Sequence, residues 1–588
     1  MKGKFVATLF ALPFFAVGVW MLWSVSSTFF DAWQMRDWVQ VEANLIRGGY
    51  DTSSSSDADT YRAYAEYSYS VGGARYAGDR VSLSSGGDNI GDYQQETGRR
   101  LQAAAASGKT ITVYVDTESP DHSIIDRKLR WGLIGFKSIF LILFGGFGLG
   151  LLIFFWRAAP EKDANQPEYK DAPWLLNDAW QTPTIRSSSK TAMWGACGFA
   201  AFWNLISAPL PFVLYEEVTR KENYIALVGL LFPLVGVGLL VWAIRRTLEW
   251  RRFGPAPVTL DPFPGSIGGH VGGTIVLNIP FDPAARYQLI LNNLHSYVSG
   301  SGKNRGRKEE AEWQDTMVAF TEPGASGTRL IFRFDIPEGL DASDTDQDDS
   351  HYLWRLNLRA ELPGTDIDRD YDIPVYATSA QSRHLSDRAV QKARSEQNLI
   401  DDQSVGDIIT IKNGSMGKQM VYPMGRHVSS ALGGIIVGGI FAAAGGWLIF
   451  EEGHSIFGSI FGSVGLLIGI SCLYLMLNSL EVSKQAADIR TVRRLLGIPI
   501  RRQQMHQNSF VRFEKKSTMK SQSGGKHTVY YSIYAVDQQG NEILLGEGFK
   551  GESEARAATR VIANELGLRE EPDRRQPQDE EDMLGALN

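Results

Sequence analysis

The chain has 588 residues, a formal net charge of −7 and only two cysteines. Its length exceeds what one hydrophobic core serves, and at roughly 100 to 200 residues per domain it calls for three or more units. The acidic balance excludes a general nucleic-acid binder, which needs a basic stripe, and Cys197 and Cys472 both fall in apolar helices, which leaves neither a disulfide framework nor a cysteine-based zinc site.

A mean hydropathy of −0.16 averages very apolar blocks with very polar ones. Phe5 to Trp23 (5–23) carries no charge over about the ~20 residues that cross a ~30 Å hydrocarbon layer. It reads as a retained transmembrane helix, since a signal peptide's apolar region is usually roughly 7 to 15 residues, although Ser24 and Ser26 imitate a cleavage site. Residues 33–126 then read as a small external, periplasmic β-domain. Val39, Val41, Ala43 and Leu45 alternate as on a half-buried strand, and Tyr61 to Val71 meets Arg75 to Ser82 across Gly72 and Gly73, which supply the positive φ of a tight hairpin. A last strand, Ile111 to Val115, ends at Asp116 and Pro120. Tyr61, Tyr64, Tyr67, Tyr69 and Tyr76 crowd the hairpin, with Tyr61, Tyr67 and Tyr69 on one face and Tyr64 on the other. Those left exposed would form an aromatic surface for envelope protein partners; the bland alternative is cross-strand pairs that only stabilise the sheet.

Trp38, Val39, Val41 and Ala43, then Tyr67, Tyr69, Gly73 and Tyr76, then Val113, Tyr114, Asp116 and Pro120 make up an ordered set. In this set the first quarter of the chain resembles the bacterial membrane protein family called domain of unknown function 3592. Thr117 departs from it, where the family usually has Pro. The resemblance implies a membrane helix on either side of the domain and brings no established chemistry. Pro173, Trp174, Trp180, Ile185 and Ser187 look like longer members of the same family.

Ser138 to Trp156 (138–156) is the second predicted span, followed by a cytoplasmic linker, 157–192. Met193 to Tyr215 (193–215) and Tyr224 to Ile244 (224–244) are the third and fourth, the third interrupted by Asn204, Pro209 and Pro211. From 254 to 380 the strands carrying Ile275, Leu277 and Ile279, then Leu330, Phe332, Phe334 and Ile336, then Trp354, Leu356, Leu358 and Ala360 predict a cytoplasmic β-sandwich. Its spacing resembles an arrestin-like sandwich in shape only. Residues 381–428 read as a linker, and Ser429 to Phe450 (429–450) and Ile456 to Leu477 (456–477) as the last two of six spans. Residues 484–568, strands closed by a helix with Ala555, Ala558, Ile562 and Leu566 on its inner stripe, resemble a pleckstrin-homology-like module. The charged tail, 569–588, is predicted to be disordered. The fold class is thus a multi-domain α+β membrane protein.

Lys and Arg are held on the cytoplasmic side of a membrane. Six alternating spans bring Lys2 and Lys4, Arg245, Arg246, Arg251 and Arg252, and Arg490, Arg493 and Arg494 there together. Both termini of this bacterial inner-membrane protein are then cytoplasmic; Arg127, Lys128 and Arg130 are the contrary signal. Arg490, Arg493, Arg494, Arg501 and Arg502 beside the last span are candidate contacts for anionic lipid headgroups, or simply topology determinants. Gly146 with Gly150, Gly434 with Gly438, and Gly458 with Gly462 show the small-xxx-small spacing that lets helices approach closely, within the chain or in a homo-oligomer. Asp341, Asp344, Asp346, Asp348 and Asp349 lack the Gly and Glu of a calcium loop, where Asp349 and Arg355 stand instead. Gly268, Gly269, Gly272 and Gly273 lead into a strand rather than the helix a phosphate loop needs. No catalytic motif, cofactor site or metal site is predicted. The expected function is a non-catalytic scaffold or signal-coupling subunit of the cell envelope; the alternative is a transporter, channel or accessory subunit of a membrane enzyme, disfavoured because the spans lack ionisable groups at mid-depth.

Overall fold

The computed structural model describes residues 2–54, 59–157, 167–221, 224–301, 305–325, 327–344, 349–414, 417–426, 428–450, 455–523 and 526–569. The predicted tail from 570 onward, Asp346 and Asp348 lie outside them. The protein is mixed α+β and divides into two compact units, residues 1–161 with 198–240 and residues 162–197 with 241–588.

In the first unit, α1 (Lys2–Gln34) is a continuous helix, long enough at ~1.5 Å per residue to cross a bilayer. The β-domain follows as β1 (Val39–Ser54), β2 (Asp59–Val71), β3 (Ala74–Gly78), α2 (Tyr93–Ser107), β4 (Thr110–Val115) and β5 (Ser123–Ile124). Its antiparallel sheet runs β3-β2-β1-β4-β5, and Gly72 and Gly73 make the β2–β3 turn at φ +62° and +87°. Helix α2 corresponds to no element expected from the sequence. Its buried positions are Gln94, Thr97, Gly98 and Leu101, so the helical period exists in burial but not in hydrophobicity. It lies so close to the sheet that a Cβ on Gly98 would be 2.6 Å from that of Tyr50. The next apolar stretch is α3 (Trp131–Phe140), a π-helical turn (Leu141–Gly145) and α4 (Gly146–Arg157). It meets α1 through Gly18, Gly145 and Gly148: a Cβ on Gly145 would be 3.3 Å from the Cα of Gly18, and one on Gly148 2.8 Å from the Cα of Phe15. Gly146 and Gly150 face open space instead. The packing within the chain is thus made by Gly145 and Gly148 rather than by the predicted pair, because spacing alone does not say which small residues face the neighbouring helix.

After α5 (Pro167–Asp171) and β6 (Thr184–Ile185) come α6 (Ser189–Ser207), α7 (Leu210–Lys221) and α8 (Leu231–Phe253). The expected third span is not one helix. Pro209 and Pro211 lack the N–H that a continuing helix needs, so α6 stops at Ser207 and the polar-ended α7 restarts at Leu210. Among the described residues five helices, not six, are long and apolar enough to cross a membrane: Thr8–Asp37, Trp131–Arg157, Leu227–Phe253, Ala431–Ile449 and Ile456–Leu477.

In the second unit β7 (Val258–Leu260), β8 (Gly265–Ser266), β9 (His270–Leu277), β10 (Gln288–Ser299), β11 (Gly306–Val318), β12 (Phe320–Gly324), β13 (Gly327–Asp335), β14 (Ser350–Ala360), β15 (Ile367–Ile373) and β16 (Val375–Tyr376) form a sandwich. One sheet is β12-β13-β9-β7-β6, the other β11-β10-β14-β15, with a small β16-β8 pair. The alternating Ile275, Leu277, Leu330, Phe332, Phe334, Trp354, Leu356 and Leu358 are all buried between them. The stretch read as a linker, 157–192, contributes to this core. Trp180 and Ile185 are buried in it, and β6 pairs antiparallel with β7 at Thr184↔Thr259 and Ile185↔Val258.

The region read as a second linker, 381–428, is also structured: α9 (Asp387–Ile408), β17 (Thr410–Gly414) and β18 (Gly417–Tyr422) precede the helix pair α10 (Val428–Phe450) and α11 (Ser455–Leu477). Then come β19 (Asn478–Gln485), β20 (Asp488–Leu495), β21 (Ile498–His506), β22 (Phe510–Ser523), β23 (Lys526–Asp537), β24 (Glu542–Lys550) and α12 (Gly551–Leu566). The sheets are β17-β18-β19-β20-β21 and β22-β23-β24. The C-terminal module thus begins with β17 rather than at 484, and α10 and α11 are inserted between two hydrogen-bonded strands, β18 and β19. An insertion separates strand partners by more than fifty positions, so no local pattern could reveal their pairing. Ala555, Ala558, Ile562 and Leu566 of α12 close the core over Val529, Ile533, Leu545 and Phe549.

Candidate functional site

The sandwich and the C-terminal module meet through buried amides. Gln314 on β11 donates from Nε2 to Oδ1 of Asn292 (2.7 Å) and to the carbonyl oxygen of His527 (2.8 Å), while its Oε1 accepts from the N–H of Val529 (3.2 Å). Asn292 donates in turn to Oδ1 of Asn357 (2.8 Å). This chain bonds three strands of one sandwich sheet to β23. Buried amides persist only when partnered, so it fixes the relative register of the two domains.

Beside it lies a cavity of about 260 Å³ lined by Asp315, Asp401, Arg333, Arg394, Ser553 and Arg556, enclosed by β11, β13, α9 and α12. Asp315 pairs with Arg556 at 2.6 Å. Burial pushes the Asp401 carboxyl up to about 6, where its hydrogen-bond partner Gln397 (2.7 Å) is neutral and Asp315 and Glu554 add like charge. A carboxyl raised above its ordinary 3.8 contributes stability at low pH and loses it as pH rises through about 6. Asp401→Asn removes the ionised form at every pH. It is expected to raise the stability at about pH 8 by on the order of 2 kcal/mol, and the melting temperature with it, and to flatten the pH dependence between about 4 and 6. Melting curves over that range check this; identical curves for variant and parent would refute it.

The five arginines expected to form one basic patch do not. Arg493 is drawn inward, pairing with Glu547 at 2.5 Å and donating to Oδ1 of Asn478 at 3.1 Å. Arg494 pairs with Glu481, and Arg490 donates to Oε1 of Gln485 at 2.6 Å. Arg501 and Arg502 are exposed and make no side-chain hydrogen bond among the described residues. Arg426, just ahead of α10 and not singled out from sequence, joins Arg493 on Glu547.

The tyrosines of the first unit do not form one exposed surface either. Tyr67 and Tyr69 are 0% and 2% exposed, with hydroxyls bonded to Oγ of Ser123 (3.0 Å) and donating to the carbonyl oxygen of Pro120 (2.7 Å). Tyr76 stacks on Tyr69 at 5.9 Å, and Tyr61 packs edge-on against Tyr50 at 6.1 Å. Tyr64 alone points the other way, half-buried above Gly49, where a Cβ would stand 2.9 Å from its hydroxyl. Helix α2 and the segment around Pro120 cover the face on which the aromatic pairs lie, so the rings serve mainly as core.

Residues 41–130 match the family described as a domain of unknown function, DUF3592. No curated protein matches the chain. Among solved structures it is similar to Spo0M, a sporulation control protein from Bacillus subtilis, at 11% identity over 43% of this chain and 89% of that one, with a TM-score of 0.15.

Inside the DUF3592 domain two of the three basic residues that contradicted the charge rule, Arg127 and Arg130, have internal partners. Arg130 makes two hydrogen bonds of 2.7 Å to the carboxylate of Asp88, with both side chains about nine-tenths buried. Arg127 lies over the Tyr114 ring at 4.1 Å and donates to the carbonyl oxygen of Met35 at 2.7 Å. In the second unit Arg369, fully buried, binds Glu249 of α8 at 3.3 Å. The partners stand 42 and 120 positions apart, beyond the reach of any spacing rule. Among the described residues no three His, Cys, Asp or Glu side chains gather as metal ligands.

Proposed function

We propose that the chain is a bacterial inner-membrane scaffold or signal-coupling subunit that joins an external DUF3592 domain to a cytoplasmic body without chemistry of its own. The observation that carries this reading is the seamless attachment of the second unit to membrane helices. Leu477 ends α11 and Asn478 begins β19, while β18 before the helix pair bonds to β19 after it. Sandwich and module are held together by the amide chain, so movement of α10 and α11 bears directly on both.

Strand pairing also supports the six-span topology. Because β6 and β7 flank α6 to α8 and pair with each other, the chain returns to the side it left and crosses an even number of times between them. With α8 a crossing, broken α6 is its partner. Lys2 and Lys4 then place the second unit in the cytoplasm and the DUF3592 domain outside. Arg130, neutralised by Asp88, offers little opposing charge.

Affinity purification from native membranes tests the coupling role. The full chain is expected to bring down a reproducible envelope protein that a variant lacking residues 39–126 loses, while still inserting. Solute flux through the purified chain in liposomes, with no protein partner recovered from membranes, would contradict it.

A further inference from the structure

The direct passage from α11 into β19 fixes the height of everything paired with that strand. Asn478 stands opposite Leu495, and the N–H of Leu496 donates to the carbonyl oxygen of Leu477 at 3.3 Å. The β20–β21 turn therefore lies level with the end of an apolar helix. It carries Leu496, Ile498 and Ile500, exposed by 63%, 68% and 49%. Three large apolar side chains at the tip of an edge hairpin invite association in water, whereas at a bilayer surface they have an apolar phase to enter.

A cavity of about 450 Å³ adjoins this turn, lined by Arg426, Tyr474, Asn478, Arg493, Arg501 and Glu547 among others. Tyr474 belongs to the last turn of α11, so the wall of the cavity is continuous with the membrane helix. Arg426 is only 6% exposed, and its Nε is buried without a hydrogen-bond partner among the described residues. Glu547 is shared between Arg426 and Arg493, and the other acidic lining residue, Glu542, is held by Lys516 at 2.6 Å. Positive charge is left over, and Arg501, exposed and without a side-chain hydrogen bond among the described residues, offers its donors at the same place.

The geometry points to a binding site for the phosphate headgroup of an acidic phospholipid in the leaflet where α11 ends. Guanidinium forks match phosphate oxygens, Arg501 supplies one, Arg426 and Arg493 with the single Glu547 carboxylate between them leave net positive charge beside it, and the Leu496–Ile500 turn enters the headgroup–acyl boundary beside the lipid. The site does not depend on what the external domain binds.

The test uses the full chain, stripped of lipid in a neutral detergent, with bound lipid counted by native mass spectrometry during titration with phosphatidylglycerol or phosphatidylcholine. Phosphatidylglycerol is expected to be retained preferentially. Arg501→Gln is expected to weaken it about fivefold, leaving phosphatidylcholine and the melting temperature unchanged. Leu496→Ser with Ile498→Ser is expected to weaken phosphatidylglycerol with every cation still in place. Equal retention of the two lipids by the parent, or unchanged retention in Arg501→Gln, would overturn the site. If Arg501→Gln melts early, Arg501→Lys must restore binding with the charge, and its failure to do so counts against the proposal. Displacement of phosphatidylglycerol by millimolar inorganic phosphate would reassign the site to a soluble anion and overturn its link to the bilayer.

Discussion

Arg369→Ala is expected to be the most damaging single substitution in the second unit, lowering its stability by ~3–5 kcal/mol. The guanidinium is 0% exposed, bonds Glu249 at 3.3 Å and the carbonyl oxygen of Gly254 at 2.6 Å, and lies 5.4 Å from the ring of Trp250. Three of these contacts are on or just after α8, so the residue clamps β15 of the sandwich to the end of an apolar helix. Truncation leaves the Glu249 carboxylate, 8% exposed, with Arg246 at 3.2 Å but without its fully buried partner, and a buried carboxylate that loses such a partner costs far more than the pair is worth. Arg369→Ala with Glu249→Gln removes both charges and should recover much of the loss. Denaturant melts of the single and double variants measure the coupling; equal losses in both would show that the charge pair is not the source.

The second large effect concerns the α10–α11 pair. A Cβ on Gly438 would lie 2.7 Å from the carbonyl oxygen of Gly465, and one on Gly445 2.6 Å from that of Gly458. These are backbone atoms, which do not swing aside as a side chain does, so Gly438→Val and Gly445→Val must push the helices apart. Each is expected to cost about 1–3 kcal/mol and to lower the yield of folded protein. Because β18 and β19 leave these helices as bonded neighbours, the same substitutions should loosen the C-terminal module. Gly146→Val and Gly150→Val, on an open helix face, are expected to change nothing comparable. Hydrogen exchange in β18 and β19 reads the difference, and protection unchanged in Gly438→Val would separate the helix pair from the module.

What could be read from sequence follows the range of the physics involved. Period-2 alternation is local, so the buried faces of β9, β13 and β14 and the β2–β3 hairpin were visible residue by residue. Apolar length is also local, which marked the helices long and apolar enough to cross a membrane, although the prolines at 209 and 211 made one expected span two pieces. Hidden features depend on distant partners. The β6–β7 pair joins positions 184 and 259, and β18–β19 joins Tyr422 to Leu480 across a helix pair. The same limit explains the candidate sites. Counting arginines on β20 and β21 found a cluster but could not see that Glu547, Glu481 and Gln485 hold three of its members, or that Arg426 approaches from before α10. Counting tyrosines found the hairpin but not α2, whose buried face includes Gln94, Thr97 and Gly98.

The proposed topology, with an even number of crossings inside each strand-paired insertion, leaves position 107 outside and positions 181 and 539 in the cytoplasm. Single cysteines at Ser107, Gln181 and Gln539, all exposed, introduced into a chain carrying Cys197→Ala and Cys472→Ala, test it directly. Neither native thiol is disulfide-bonded, so that background is expected to fold. A membrane-impermeant maleimide applied to intact spheroplasts should label position 107 alone and should label all three after detergent is added. Labelling at 181 or 539 in intact spheroplasts would contradict the account.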